Sequence, residues 1–405
     1  MAAAHALGKI GALLLMAPVV LAACGNASTG ARPTPTLTAR PSAAALPFPS
    51  PTPGGPAPPP RATVTCASRI PARSQLALVT LRGGSGIVVR DVTDVGNPVS
   101  RCSISGGSHL RFVDGTHVSY IVTSSSDLGA SGALYLVDLQ TQTTSLVRAW
   151  ASGGYLSWVY AWSPDGQALS YLNSDATGVA WHLLSASGDR TLSSLGMVPG
   201  RDVNLDNDDG MVGFSADGLY VALEETFTYQ DKGKVIGLAP PFQVVRVADG
   251  KLMYSRTDGT MAAWSTGGGQ RLYFRTTTGV QSWDTTGQVR TVAAGLSWIH
   301  PSASADGSHI AYSTLDAQGN HKAAAIDVGG GSTIQFSAEP RVGASFLTST
   351  LVWYAGETIC TTATPCGLGG PPLTGVTYIS DLVGVETESV DVAFYDSWPH
   401  LVGQS

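Results

Sequence analysis

Charged residues are scarce in this sequence. Asp, Glu, Lys and Arg together make up 13% of its 405 residues, and the formal net charge is −6, whereas about a quarter of an average globular protein is charged. No block of Lys or Arg forms a basic stripe, which argues against nucleic acid as a partner. The abundance of Gly, Ser and Thr fits an exported protein instead.

Long apolar runs are almost absent as well. The one exception begins at Ile10, behind a short head that carries Lys9, and ends at Cys24. This run is too short to span a bilayer comfortably and ends in small residues, so it predicts an export signal peptide over residues 1–23. No second apolar segment approaches the length of a membrane span.

The end of this run, Leu21-Ala22-Ala23-Cys24-Gly25, resembles the lipobox of bacterial lipoproteins. The resemblance implies that the Cys24 sulfur is acylated with palmitate-type chains, that the signal peptide is removed, and that Cys24 becomes the N-terminus. The exported chain would then be anchored to the extracytoplasmic side of the cell membrane by its lipid. The alternative is an ordinary secretory signal that happens to contain a cysteine.

Cysteine is also rare, and its number is informative. The five cysteines are Cys24, Cys66, Cys102, Cys360 and Cys366. Without the lipidated one an even number remains, as is typical of an oxidising compartment. Closeness in sequence predicts the disulfides Cys66–Cys102 and Cys360–Cys366. A metal site is the alternative, but no His lies near either pair at ligand spacing.

Residues 24–63 form a predicted linker rich in Pro, Ala, Ser and Thr, including Arg32-Pro33-Thr34-Pro35-Thr36 and the stretch from Pro47 to Pro60. Such a segment has little apolar surface to bury and favours extended polyproline II conformations. Its predicted role is to hold a folded domain away from the membrane. A Pro-rich ligand for a partner domain is the alternative.

From residue 64 to residue 405 the sequence changes to short β-type runs that repeat, with no amphipathic helix of a dozen residues. The clearest copies of the repeated phrase are Trp162-Ser163-Pro164-Asp165-Gly166, Phe214-Ser215-Ala216-Asp217-Gly218 and Ala303-Ser304-Ala305-Asp306-Gly307. In each copy an apolar strand ends, an Asp-Gly turn follows, and a second alternating strand begins. Repeats of four strands each, spaced about 40 to 50 residues apart along the chain, are typical of β-propeller blades.

The phrase around Trp162 resembles the repeats of TolB-type propellers, which are similar to WD repeats. The resemblance implies an all-β fold, a single propeller of four-stranded antiparallel blades, and a role in protein–protein contact. Six copies of the inner-strand phrase are visible. A further blade is suggested by two segments that look like outer strands, Leu76–Leu81 and Ile87–Asp91. The inner strand of that blade could be supplied by Ser397–Leu401. We therefore favour seven blades, with six as the alternative, and a monomer.

Compact catalytic motifs are missing: there is no His-Glu-x-x-His, nucleophile elbow or phosphate-binding loop. One segment can be read as a cation site, because it places oxygen-bearing side chains at alternate positions, as calcium loops do. The candidate calcium ligands are Asp202, Asn204, Asp206 and Asp208. The alternative, which we favour, is a solvated acidic connection between blades.

A second candidate site follows from position. Loops that lead into the inner strands gather around the central channel of a propeller, and here they carry Trp158, Tyr160, Trp298, His300 and Arg341. Aromatic and polar side chains together can form a sugar or peptide site. The favoured alternative is that several of them pack between blades, because aromatic residues bury large areas.

These observations predict a non-catalytic, membrane-anchored lipoprotein whose propeller binds a protein or a surface ligand. The alternative is a hydrolase, lyase or sugar dehydrogenase with its site at the channel mouth, since a propeller site is assembled from distant loops and leaves no compact motif. No catalytic residue is predicted, and calcium is the one cofactor considered.

Overall fold

The computed structural model describes residues 57–398 apart from short gaps at 73, 82–85, 126–129, 152–154, 176–177, 195–202, 205–210, 225–226, 232–233, 239–241, 266–269, 360, 362–372 and 390–391. All regular structure within the described residues is β-strand. Among them no helix is long and apolar enough to cross a membrane. The predicted signal peptide, Cys24 and most of the predicted linker lie outside the described residues.

The strands form seven blades, which confirms the predicted all-β propeller of four-stranded antiparallel blades. The chain opens with β1 (Thr63–Cys66), β2 (Leu76–Leu81), β3 (Ile87–Asp91) and β4 (Val99–Ser105). Blade 1 contains β5 (Ser108–Phe112), β6 (His117–Thr123), β7 (Gly132–Asp138) and β8 (Thr143–Trp150). Blade 2 contains β9 (Tyr155–Trp162), β10 (Ala168–Asp175), β11 (Gly178–Ser185) and β12 (Gly188–Ser194).

A small additional sheet is inserted in the chain around blade 3, and blade 4 follows. This sheet contains β13 (Val203–Asn204), which precedes blade 3, and the hairpin β16 (Phe227–Asp231) and β17 (Lys234–Leu238). Blade 3 contains β14 (Met211–Phe214), β15 (Tyr220–Glu224), β18 (Phe242–Arg246) and β19 (Leu252–Arg256). Blade 4 contains β20 (Thr260–Ser265), β21 (Arg271–Thr276), β22 (Gly279–Asp284) and β23 (Val289–Ala294). The repeat pattern did not predict the additional sheet, because the sheet interrupts the pattern.

The last strands complete the ring. Blade 5 contains β24 (Ile299–Ala303), β25 (His309–Leu315), β26 (His321–Asp327) and β27 (Thr333–Gln335). Blade 6 contains β28 (Arg341–Phe346), β29 (Leu351–Glu357), β30 (Leu373–Asp381) and β31 (Glu386–Ser389). The final strand, β32 (Val392–Trp398), joins β2, β3 and β4 as the inner strand of blade 7, and β1 is added at the outer edge.

Ring closure therefore joins the two ends of the domain, as predicted, with Leu78 of β2 opposite Asp396 of β32. The seven-blade prediction is confirmed and the six-blade alternative is wrong. The closing strand nevertheless lies earlier than Ser397–Leu401, because the β-forming run Val392–Trp398 precedes Pro399, which has no amide hydrogen for a sheet ladder. Closure protects the sheet edges that an open array would expose.

The repeated phrase is explained by a buried serine at the turn between the first two strands of a blade. Ser215 Oγ donates a hydrogen bond to Asp217 Oδ1 at 2.6 Å and accepts one from the Tyr220 amide at 3.0 Å. Gly218 follows with φ of 72°, which favours glycine. The same serine–aspartate pair recurs at Ser163 and Ser304.

The hydrophobic core lies between adjacent blades. A tyrosine on the second strand of five blades is buried against the neighbouring sheet; these residues are Tyr120, Tyr171, Tyr273, Tyr312 and Tyr354. Because each blade covers one face of the next, the apolar side chains of a sheet are buried only once the ring is assembled. Polar groups at these junctions therefore need partners supplied by another strand or blade.

Candidate functional site

The antiparallel topology sorts the loops onto two faces. Loops that lead into inner strands, and loops between the second and third strands of a blade, lie on one side, which we call the upper face. The Asp-Gly turns, and the turns between third and fourth strands, lie on the opposite side, the lower face. The insertions that form β13, β16 and β17 both come from upper-face loops.

Several inner strands carry a bulge close to the upper face. The register is shifted near the start of β5, β20, β24 and β28. In each bulge one residue has a left-handed backbone conformation; these residues are His109, Met261, His300 and Gly343, with φ of 50°, 50°, 49° and 70°. Such conformations are costly for residues other than glycine and persist where the surroundings stabilise them.

The surroundings here are the adjacent blades. Tyr160 of blade 2 donates its hydroxyl to the His109 carbonyl at 2.7 Å, and Trp298 of blade 5 donates Nε1 to the Met261 carbonyl at 2.7 Å. At the next junction, the Gly343 amide donates to Ser313 Oγ at 3.0 Å. The bulges leave backbone groups without a partner in their own sheet, and these groups form hydrogen bonds to the neighbouring blade.

These bonds locate two of the predicted ligand-binding residues at blade junctions. Tyr160 and Trp298 are both buried, and their polar atoms already bond to the backbone of the adjacent blade. Trp158 lies in β9, and its side chain is outside what the structure describes. His300, in the bulge of β24, is exposed on the upper face.

Arg341 lies inside blade 6 and is 7% exposed. Its Nε and Nη2 donate to the two oxygens of Glu386 at 3.1 and 3.0 Å, and its guanidinium carbon is 3.9 Å from the centre of the Tyr378 ring. The Tyr354 hydroxyl also donates a hydrogen bond to Glu386 at 2.9 Å. Burial disfavours the charged guanidinium, but the bonds to Glu386 outweigh burial and raise the pKa of Arg341.

Of the predicted ligand-binding side chains that the structure describes, His300 alone is exposed. The structure distributes Tyr160, Trp298, His300 and Arg341 over blades 2, 5 and 6, so they do not form one continuous pocket. The five were grouped because their loops precede inner strands. Trp158 and Tyr160 in fact lie within β9, and the rule cannot tell a side chain that faces the channel from one that packs between blades.

A histidine–carboxylate pair on the upper face escaped the sequence analysis. His321 begins β26 of blade 5, Glu357 ends β29 of blade 6, and both Glu357 oxygens lie 2.9 Å from His321 Nδ1. The Glu357 side chain is 3% exposed. A carboxylate at Nδ1 orients an imidazole and leaves Nε2 for another partner. The two residues are 36 positions apart in different blades, so no local motif signals them.

A second ionic cluster links blades 1 and 2. Asp189 of β12 accepts bonds from Arg148 of β8 and from the Tyr171 hydroxyl, each at 2.7 Å, and His182 Nδ1 lies 3.2 Å from its other oxygen. Burial alone would raise the pKa of Asp189, but the bonds from His182, Tyr171 and Arg148 lower it to about 2. The carboxylate is therefore strongly held in its charged form.

The end of the Pro-rich segment is fastened to the propeller. The Tyr135 hydroxyl donates to the Pro59 carbonyl at 2.6 Å, and Pro59 and Ala62 are buried. The predicted disulfide between Cys66 and Cys102 is confirmed, and it joins β1 to β4. A cavity of about 410 Å³ opens beside it, lined by Cys66, Ser68, Arg69, Leu139, Gln140 and Gln142.

The other predicted sites fall mostly outside the described residues. Asp202, Asp206 and Asp208 lie outside them, as do Cys360 and Cys366, while the Asn204 backbone pairs with Thr228 in the additional sheet. Within the described ranges, no group of three or more His, Cys, Asp or Glu side chains is arranged to hold a metal ion. The calcium loop and the second disulfide stay predictions.

No family model and no curated protein sequence matches this chain. Among solved structures it is similar to TolB from Acinetobacter baumannii, with 15% identity over 77% of this chain and 79% of that one, at a TM-score of 0.41. It is also similar to an oligogalacturonate lyase in complex with manganese (11% identity, 82% and 86% covered, TM-score 0.44). A third similar structure is the Pyrococcus horikoshii acylaminoacyl peptidase (10% identity, 70% and 45% covered, TM-score 0.45). At such identities the likeness extends to the fold alone.

Proposed function

We propose that this chain is an exported lipoprotein, anchored to the extracytoplasmic side of the cell membrane through Cys24, whose propeller binds a protein or a surface ligand. The proposal begins from the lipobox-like end of the signal peptide and the Pro-rich segment that follows it. In this arrangement the lipid fixes the location, the linker sets the distance from the membrane, and the propeller supplies the binding surface.

The observation that carries the proposal is the fastening of the linker to blade 7. A four-residue edge strand such as β1 would detach readily on its own, because it has few contacts and one paired edge. The Cys66–Cys102 disulfide makes its attachment covalent, and the buried Pro59 carbonyl adds a bond to Tyr135 in blade 1. A tethered domain needs such a joint, because any pull on the tether reaches the edge strand first.

Binding is favoured over catalysis because the ionic clusters are engaged in holding the propeller together. Asp189 is bonded by Arg148, Tyr171 and His182 across the junction of blades 1 and 2. Arg341 is bonded to Glu386 within blade 6. Acid–base work requires a group that can exchange its proton with a substrate, and groups committed to several structural bonds do so poorly.

Catalysis at the channel mouth is the second candidate function, and His321 is the observation that favours it. Its Nδ1 is held by the buried Glu357 carboxylate, and its Nε2 makes no hydrogen bond to the described residues. This is the arrangement in which an imidazole acts as a general base. A glycan or lactone would be its substrate class.

The test compares the full-length chain with its Cys24→Ser variant in cells. We expect the first in the membrane fraction and the second not, and we expect in-cell crosslinking to join a specific envelope protein to the propeller. His300→Glu on the upper face should weaken that crosslink, and Leu219→Glu on the lower face should not. Lack of a crosslinked partner, together with glycan or lactone turnover that His321→Gln abolishes, would reverse the choice between binding and catalysis.

A further inference from the structure

Three exposed apolar side chains lie at the upper face of blades 5 and 6. Leu315, Ile359 and Leu373 are 55%, 57% and 62% exposed. We call them the upper apolar patch. Single exposed apolar residues are ordinary on a protein surface, whereas a contiguous group indicates an interaction site.

The three residues are related by the sheet register and by one contact between blades. Leu315 is the cross-strand partner of His321, and Leu373 is the cross-strand partner of Glu357. His321 and Glu357 are in turn 2.9 Å apart between blades 5 and 6. Ile359 lies two residues beyond Glu357, so all three apolar residues surround the same bridge.

The contact between His321 and Glu357 does not make this surface polar. The Glu357 side chain is 3% exposed and already bonded to His321, so the patch presents no bare carboxylate to an apolar environment. Burial of an unpaired charge would oppose docking, whereas a paired, covered carboxylate does not.

The polypeptide that leads to the membrane joins the propeller on this same face. Thr63, the first residue of β1, pairs with Ser105, the last residue of β4, and fourth strands end at the upper face. The 33 positions from Cys24 to Ala57 span at most about 120 Å in any conformation. If the proposed anchor holds, a bilayer surface is always within reach of the upper face.

We propose that the upper apolar patch docks on the interface of the membrane to which Cys24 anchors the chain. The inference rests on the proposed lipid anchor. Tethering turns docking into an intramolecular event, so three side chains with weak individual affinity for a bilayer suffice to orient the propeller. The docked propeller turns its upper face, including His300, towards the membrane, so the envelope protein expected to crosslink near His300 is one held in the same membrane.

The experiment uses the full lipidated chain in vesicles of zwitterionic phosphatidylcholine that contain a nitroxide-labelled lipid. A fluorophore is attached at Gln318→Cys, between β25 and β26 on the upper face, or at Gln288→Cys, between β22 and β23 on the lower face; both positions are exposed. We expect quenching at residue 318 to be at least threefold stronger than at residue 288, and unchanged at high salt.

Two triple variants complete the design. The first variant should reduce quenching at residue 318 to the level at residue 288; it combines Leu315→Ser, Ile359→Ser and Leu373→Ser. The matched control replaces three lower-face residues of 42% to 56% exposure, Leu219, Leu252 and Val289, by Ser and should leave quenching unchanged. Equal quenching at both positions, or indifference to the upper substitutions, overturns the inference.

Other occupants and a missing anchor give different results. If sedimentation shows self-association that depends on the upper apolar patch, the patch binds a second copy of the chain and membrane docking is overturned. If residue 318 is protected only when an envelope protein is added, the patch binds that protein and membrane docking is again overturned. A chain that does not float with the vesicles refutes the lipid anchor. The docking is then tested by titrating that labelled chain with vesicles, where a response at residue 318 but not at residue 288 supports the patch.

Discussion

Replacing Arg341 by Met tests whether this residue serves the blade or a ligand. The substitution removes two hydrogen bonds to Glu386, at 3.0 and 3.1 Å, and the contact of the guanidinium with the Tyr378 ring. Loss of one partner from a buried ion pair costs about 3–5 kcal/mol. Because the Glu386 side chain is 25% exposed and keeps the Tyr354 hydroxyl, we expect a smaller loss in the free energy of unfolding, about 2–3 kcal/mol.

The assay is urea unfolding of the wild type, Arg341→Met, Glu386→Gln and the double variant, followed by tryptophan fluorescence. The two single losses should not add, because each variant removes the same pair; a coupling of about 1–2 kcal/mol is expected. If Arg341→Met costs less than about 0.5 kcal/mol and instead abolishes partner binding, then Arg341 belongs to a binding site and our assignment to the blade interior is wrong.

Three further predictions concern stability. Ser215→Ala should lower the free energy of unfolding by about 1–2 kcal/mol, since it leaves the Tyr220 amide unpaired; no change in the urea midpoint would contradict this role. Asp189, whose pKa is lowered to about 2, should contribute about 2 kcal/mol that is present above pH 4 and lost as the pH falls towards 2; Asp189→Asn should flatten that part of the pH profile, and an unchanged profile would refute it. Replacing Cys66 and Cys102 by Ala opens a loop of 36 residues and should cost about 3–4 kcal/mol, measured against the wild type under oxidising conditions; equal stability would contradict it.

The fold could be predicted because its signals are local. The Ser-x-Asp-Gly phrase encodes a turn whose bonds lie within six residues, as around Ser215, so each copy marks one blade. The disulfide between Cys66 and Cys102 could be predicted because the two cysteines are near each other in the sequence. The additional sheet broke the pattern and was missed, because β13 and β16 pair across a distance the repeat does not encode.

The exposed side chains of the candidate site could not be predicted from the sequence. Loops before inner strands do gather on the upper face, but which side chains stay exposed there depends on the neighbouring blade. Tyr160 and Trp298 bond to the bulges of adjacent blades, whereas His300 stays exposed. The bridge between His321 and Glu357 is a contact between blades, and a single sequence carries no local signal for it.

The measurement that tests the central claim most directly is the intact mass of the protein extracted from membranes. We predict a chain that begins at Cys24 and carries the added mass of a lipid on that residue, with Cys24→Ser lacking this species. A mature chain that begins elsewhere, or that carries no lipid at Cys24, would contradict the account of a propeller tethered to a membrane.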